Sequence, residues 1–228
     1  MYQPMLHLHW RQVRLALIPF MVASFGLPLL AVQGMGTVPG MERSTLEAYL
    51  IMSESQFWLP FFPALAGVIG ITLGLSAWNW DHQLNHVYAL TLPLRRMEYT
   101  MLKMGAGALL AVLPALALWM GGHVAAAWVS LPAELHAYPN ELAFRFFLAI
   151  LLSYALLFTM AAGTVKTTLR VCGVLVAFVV LGNIATGVLG EYYLFFARTN
   201  VVQVAVSWLI NAPGPFEVFT GNWTLIDV

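Results

Sequence analysis

The sequence predicts an all-α fold: a polytopic bundle of helices integral to a membrane, with five spans and a C-terminal helix that lies at the interface or re-enters. Three observations predict it. Hydrophobic residues make up 61% and charged residues only 9% of the 228 residues, and mean hydropathy is +0.80, leaving too little polar surface to coat a globule in water. Five runs reach the roughly 20 mostly apolar residues that a helix needs to cross a bilayer: Leu15–Gln33, Trp58–Trp78, Met104–Val129, Ala143–Gly163 and Val171–Gly190. The ten basic residues are divided unevenly among the connections between those runs. Net charge is zero and no basic stripe exists, so nucleic acid is not an expected partner. The lone Cys172 has no partner for an internal disulfide.

The elements follow in order. Residues 1–14 carry His7, His9, Trp10, Arg11 and Arg14, a mixture suited to an amphipathic helix lying on the cytoplasmic leaflet. The first apolar run exceeds the ~7–15 residues of a signal-peptide core, and "LLAVQGMG" is a poor cleavage site, so it reads as a retained span. In the next connection "STLE", Ser44 to Glu47, has the capping-box form and predicts a short interfacial helix. The prolines and Asn of "LPAELHAYPNEL", Leu131 to Leu142, predict a turn-rich loop. Residues 191–228 form an external or re-entrant segment, because Val201 to Ile210 is too short to cross. Tyr192, Tyr193, Trp208 and Trp223 suit headgroup level.

Basic residues near span ends stay in the cytoplasm. With the N-terminus inside, Arg11, Arg14, Arg95, Arg96, Lys103, Lys166 and Arg170 are cytoplasmic, and only Arg43, Arg145 and Arg198 are external. This places the N-terminus and the polar stretch Asn79 to Lys103, "NWDHQLNHVYALTLPLRRMEYTMLK", on the cytoplasmic side.

Several chemistries are weighed against these residues. His82 and His86 stand at the i, i+4 spacing of a helical zinc site, but Gln83 occupies the position of the general base and no third ligand is evident, so a metal is not expected. His123, in the third span, is a candidate lining residue of a transport path, although Gly121 and Gly122 beside it favour helix packing. No Asp, Glu or Lys falls in the middle of a predicted span, which disfavours a carrier driven by protons or sodium. The absence of GxxxxGK[ST] and of GxSxG leaves no ATP site or serine nucleophile, so the chain is not expected to be an enzyme.

The polar stretch resembles the cytoplasmic connection of type-2 exporter permeases, the transmembrane subunits of ATP-binding cassette transporters. The matching residues are Asp81 after the second span, the short helix "LNHVYAL", the run "TLPLRR" from Thr91 to Arg96, then Tyr99 and Lys103 at the start of the third span. Arg95 departs from the Ser or Thr common in that family, and His86 stands where small residues are frequent. The resemblance implies one permease domain over 1–228 in a bacterial cytoplasmic membrane, with 79–103 as its coupling segment. It implies two partners: a second permease chain and a separate ATPase that holds the ATP and Mg²⁺, with no cofactor in this chain. It also implies a sixth span, which does not appear before Val228. Docking would rest on apolar anchors, Leu84, Tyr88 and Leu92, within a rim of Asp81, Arg95 and Arg96. The alternatives are an intramembrane zinc peptidase and a non-transporting scaffold subunit.

The topology is checked with single cysteines. In a Cys172→Ser background, Asn85→Cys and Ser130→Cys should react from opposite faces of intact cells with an impermeant maleimide, Asn85→Cys only after permeabilisation. External labelling of Asn85→Cys overturns the orientation.

Overall fold

The computed structural model describes residues 2–33, 57–83, 95–129, 135–163 and 214–227, with single residues and pairs between 166 and 177. Its elements are α1 (Tyr2–Val32), α2 (Phe61–Gln83), α3 (Arg96–Trp128), β1 (His136–Ala137), α4 (Pro139–Ala161), α5 (Glu217–Thr220) and β2 (Ile226–Asp227). α1 to α4 are the four helices among the described residues that are long and apolar enough to cross a membrane. Together they fit an integral membrane protein. The described parts form two compact units, Met1–Phe158 with Asn222–Val228, and Thr159–Gly221.

Several boundaries differ from the sequence expectation. α1 is continuous from Tyr2 to Val32, so residues 1–14 are not a separate interfacial helix. No glycine or proline interrupts residues 5–18, and helix propagation costs little once started. α2 continues to Gln83 and α3 begins at Arg96. Both ends of the polar stretch 79–103 are therefore extensions of spans, and the part between the helices is shorter than expected. α4 starts at Pro139, whose missing N–H costs nothing at a first helical position, with Glu141 in the first turn where the helix dipole favours an acid. The loop before it is more than a turn: His136 pairs with Asp227 and Ala137 with Ile226, antiparallel, and Tyr138 N–H donates to Leu225 O at 2.8 Å. Among the described residues the fold is thus α-helical with one two-residue strand pair. The fifth expected span, Val171–Gly190, the Ser44–Glu47 cap and residues 191–213 lie outside the described residues, apart from helical residues at 173, 174 and 177.

Contacts in the first unit fix helix directions. Asp81 at the end of α2 meets Tyr99 and Lys103 near the start of α3, so these two run antiparallel. α1 makes its longest contact with α3, and Gly121 near the end of α3 sits against the backbone of Phe25 near the end of α1. These two run parallel. On α2, Gly70 faces Ile150 and Ser153, and Gly74 faces Leu157 and Phe158 further along α4, so that pair is also parallel. The four helices therefore alternate in direction, and the start of α1 shares an end of the bundle with the α2–α3 connection. At the other end, Trp223 stacks on Phe62 with ring centroids 6.5 Å apart, beside the strand pair.

The close α2–α4 approach depends on the missing side chains. Lipid tails are as apolar as leucine, so helices in a bilayer associate through packing, and small residues let backbones approach. A Cβ at Gly70 would stand 2.5 Å from Ser153 Cβ and 2.6 Å from Ile150 O. "GITLG", Gly70 to Gly74, is a G-x-x-x-G pair. Outward-facing Leu15, Ile18, Val68, Ile71 and Leu109 are exposed, as lipid-facing side chains are.

Gly70→Val should destabilise the detergent-solubilised protein by about 1–3 kcal/mol, the usual cost of forcing bulk into a packed contact. Gly26→Ala, with nothing within 4 Å of the new methyl, should be neutral or slightly stabilising. Thermal unfolding followed by size exclusion separates the two.

Candidate functional site

The polar residues that the sequence puts between the second and third spans do not all face outward. Continuation of α2 past Trp78 places Trp78 and Asp81 at i, i+3, on one face, and the start of α3 at Arg96 places Tyr99 and Lys103 at i, i+4. These two faces meet. Tyr99 Oη lies 3.0 Å from both carboxylate oxygens of Asp81, and Lys103 Nζ lies 2.5 Å from Asp81 Oδ2. Lys103 Nζ also reaches Tyr99 Oη at 3.3 Å and stands 4.4 Å above the Trp78 ring, a cation–π arrangement. Asp81 is 1% exposed and the Lys103 side chain 12%.

The surroundings hold the pair rigidly. Trp78 Nε1 donates to Phe158 O at 2.9 Å, and its ring lies 5.1 Å from that of Phe158. Tyr154 Oη donates to Met104 O at 3.1 Å, in space left by the absent side chain of Gly107. Three helices thus meet at one ion pair. A fourth contributes His9, which begins the buried stripe His9, Val13, Leu17 of α1. Its ring is 4% exposed, within electrostatic reach of Lys103, and Nε2 has no hydrogen-bond partner.

The expected site residues divide accordingly. Asp81 is not a docking-rim residue in this structure: its carboxylate is buried and occupied by Tyr99 and Lys103. Lys103 does not open the third helix either, because α3 begins at Arg96 and carries it about two turns inside the helix. A buried ionisable group therefore stands near the start of the third candidate span, and not at its middle. Arg95 is exposed at the N-cap of α3, with extended backbone (φ −64°, ψ 138°) and no capping side-chain bond. Arg96 opens α3. Leu84, Tyr88 and Leu92 lie outside the described residues, as does His86, and the side chain of His82 is not described. Among the described residues no group of three or more His, Cys, Asp or Glu is placed to hold a metal.

His123, the candidate path residue, lies on an outer face of this chain. It is exposed near the end of α3, with Nε2 3.2 Å from Asn140 Oδ1, and its ring is edge-on to Trp119 at 4.7 Å. Trp119 Nε1 donates to the same Asn140 oxygen at 2.8 Å. Gly121 and Gly122 beside it are packing positions, against Phe25 and Pro139.

The pairing of Asp81 with Lys103 could have been read from the sequence. An acid at the end of one span, followed by Tyr and Lys four apart at the start of the next, is a complementary set across a helical hairpin. No family profile, curated protein or solved structure matches the chain.

Removing one partner of a buried ion pair leaves an uncompensated charge, at a cost of about 3–5 kcal/mol, whereas replacing both by apolar residues is often neutral. Asp81→Leu and Lys103→Met should each lower stability by that order. The double variant should recover most of the loss. Unfolding in micelles, read as a double-mutant cycle, checks this; additive losses would mean the pair is not coupled.

Proposed function

We propose that the chain is the permease subunit of an ATP-driven exporter of the type-2 cassette class. It works as one of two permease chains in a bacterial cytoplasmic membrane, N-terminus inside, with ATP and Mg²⁺ bound by a separate ATPase subunit. The resemblance of "DHQLNHVYALTLPLRR" to the coupling connection of that class motivates the reading. The observation that carries it is the Asp81–Lys103 ion pair with Tyr99.

A connection can transmit a push only if its two ends move together. The ion pair ties the end of α2 to the start of α3 just behind the connection, and Trp78 and Tyr154 tie both to α4. A force on residues 84–95 is then delivered to three spans as one body. Such rigid-body motion is what alternating access between two permease chains requires. Leu84, Tyr88 and Leu92 serve as anchors in a cleft of the ATPase, with Arg95 and Arg96 at the rim. Asp81 acts from behind them as an internal strut.

A second reading rests on the same cluster. A buried Asp–Lys pair with a histidine nearby is also the equipment of an ion-driven carrier. The two readings differ in their energy source.

In native membranes, the wild-type chain should copurify with an ATPase whose turnover it stimulates. A Leu84→Asp, Leu92→Asp double variant should lose that partner while keeping its own fold. Undiminished copurification and stimulation would overturn the coupling role. Retention of substrate movement in liposomes without ATP, abolished by a protonophore, would establish the ion-driven reading instead.

A further inference from the structure

Between α1 and α2, at the end of the first unit away from the ion pair, lies a cavity of about 1070 Å³. Its cause is steric. Gly121 lets the backbone of α1 close onto α3, and Gly70 lets α2 close onto α4, so α1 and α2 are held to different neighbours with a gap between them. Small residues widen the gap. Ala23 and Gly26 stand on one wall and Ala64 on the other, and a Cβ at Gly26 would meet nothing within 4 Å.

The depth and the rim of the cavity match one leaflet of a bilayer. Its lining runs from Val22 to Gln33 on α1 and from Phe61 to Val68 on α2, about 16 Å and about 10 Å along the two helices, against roughly half of a ~30 Å hydrocarbon core. The rim lies where α1 ends, α2 begins and α3 ends. Gln33 and Trp128 are exposed there, and Phe57, Trp58 and Phe61 pack ring against ring with centroids 5.4 to 5.7 Å apart. Aromatic rings at helix ends suit headgroup level. Val22, Leu30 and Val68, deeper along the walls, are exposed as well, so the cavity opens sideways into the surrounding hydrocarbon.

Among the described residues that line it none carries a charge, and the polar groups, Gln33 and the Trp128 indole, stand at the rim. Water needs several polar partners to occupy a cavity and the walls offer none; a charged solute would be stripped of its hydration without compensation. We propose that this cavity is a binding site for the acyl tail of a lipid from the leaflet beside it, taken in sideways with the headgroup left at the rim. The walls recognise a flexible apolar chain and read nothing of the headgroup. A tail gains little by exchanging lipid for protein as such. What retains it is the set of dispersion contacts that wall atoms facing a void would lose. The inference needs only the placement of α1 to α4 in a membrane and is independent of how transport is powered.

The test uses the full chain in liposomes containing a trace of phosphatidylcholine or phosphatidylglycerol with a diazirine midway along one tail, and labelled residues are located by mass spectrometry. In wild type, labelling of residues 22–30 and 61–68 should exceed severalfold that of residues 15–18 and 71–75, which continue the same helices beyond the cavity and include the exposed Leu15, Ile18, Ile71 and Leu75. The two headgroups should label alike. Gly26→Phe, whose new side chain enters open space, should reduce cavity labelling to the level of those flanking stretches without lowering thermal stability, and Ala64→Phe should do the same from the opposite wall. Wild-type labelling no higher than in the flanking stretches would mean annular lipid only and overturn the proposal. So would undiminished labelling in both folded variants, or a severalfold difference between the headgroups. In a Cys172→Ser background, a Val22→Cys chain that oxidises to a covalent dimer in unlabelled liposomes, with no preferential labelling of the cavity in wild type, would put a second copy there in place of the tail.

Discussion

Two opposite charges removed from water are stable only together, and the ion pair of Asp81 with Lys103 imposes that condition on the first unit. Each charge alone would carry a desolvation penalty of several kcal/mol. Together, with a phenol hydroxyl on the carboxylate and an indole face under the ammonium, they are satisfied at one point. That point lies where α2 ends and α3 begins, so the return of the chain between these helices is fixed in both position and direction. α4 is drawn into the same arrangement by its carbonyl at Phe158 and its phenol at Tyr154.

Elsewhere the helices are held by shape. An apolar side chain gains little by leaving lipid for protein, and the contacts that distinguish one packing from another are those of close backbone approach. Gly70 and Gly74 admit α4, and Gly121 admits the backbone of α1. The same chain therefore uses two unlike devices: an electrostatic one near the α2–α3 connection and a steric one along the helices. Only the first can change with the occupancy of a charge. If the connection is where a partner applies force, the ion pair is the element through which that force reaches the spans.

Much of the fold was legible because its signal is compositional. Runs of apolar residues near Leu15–Gln33, Trp58–Trp78, Met104–Val129 and Ala143–Gly163 correspond to α1 to α4. Boundaries were less legible. Asn79 to Gln83 and Arg96 to Lys103 are polar, and polarity argues for a loop, yet a helix can carry polar residues beyond the apolar run when they have partners. Lys103 shows why: its charge reads as the start of a helix until Asp81 is seen beside it. The partners of His123 were not legible either, since Asn140 lies on another helix and meets it only through the packing of α3 on α4. The strand pair had no local signal. Two residues of His-Ala and two of Ile-Asp become strands only by meeting, and no periodicity can announce that.

That strand pair has a consequence for the order in which the first unit forms. Its partners, His136–Ala137 and Ile226–Asp227, are remote along the chain. Contacts between remote residues carry the largest loop-closure entropy and are formed late. The helical hairpin closed by Asp81 and Lys103 is short by comparison and can assemble as soon as its two helices are in place. The helical hairpin is therefore the local part of the first unit, and the strand pair a remote one. The ion pair can close before either of the remote contacts is made. The stack of Trp223 on Phe62 joins residues still further apart along the chain, and so carries a larger closure entropy than the hairpin.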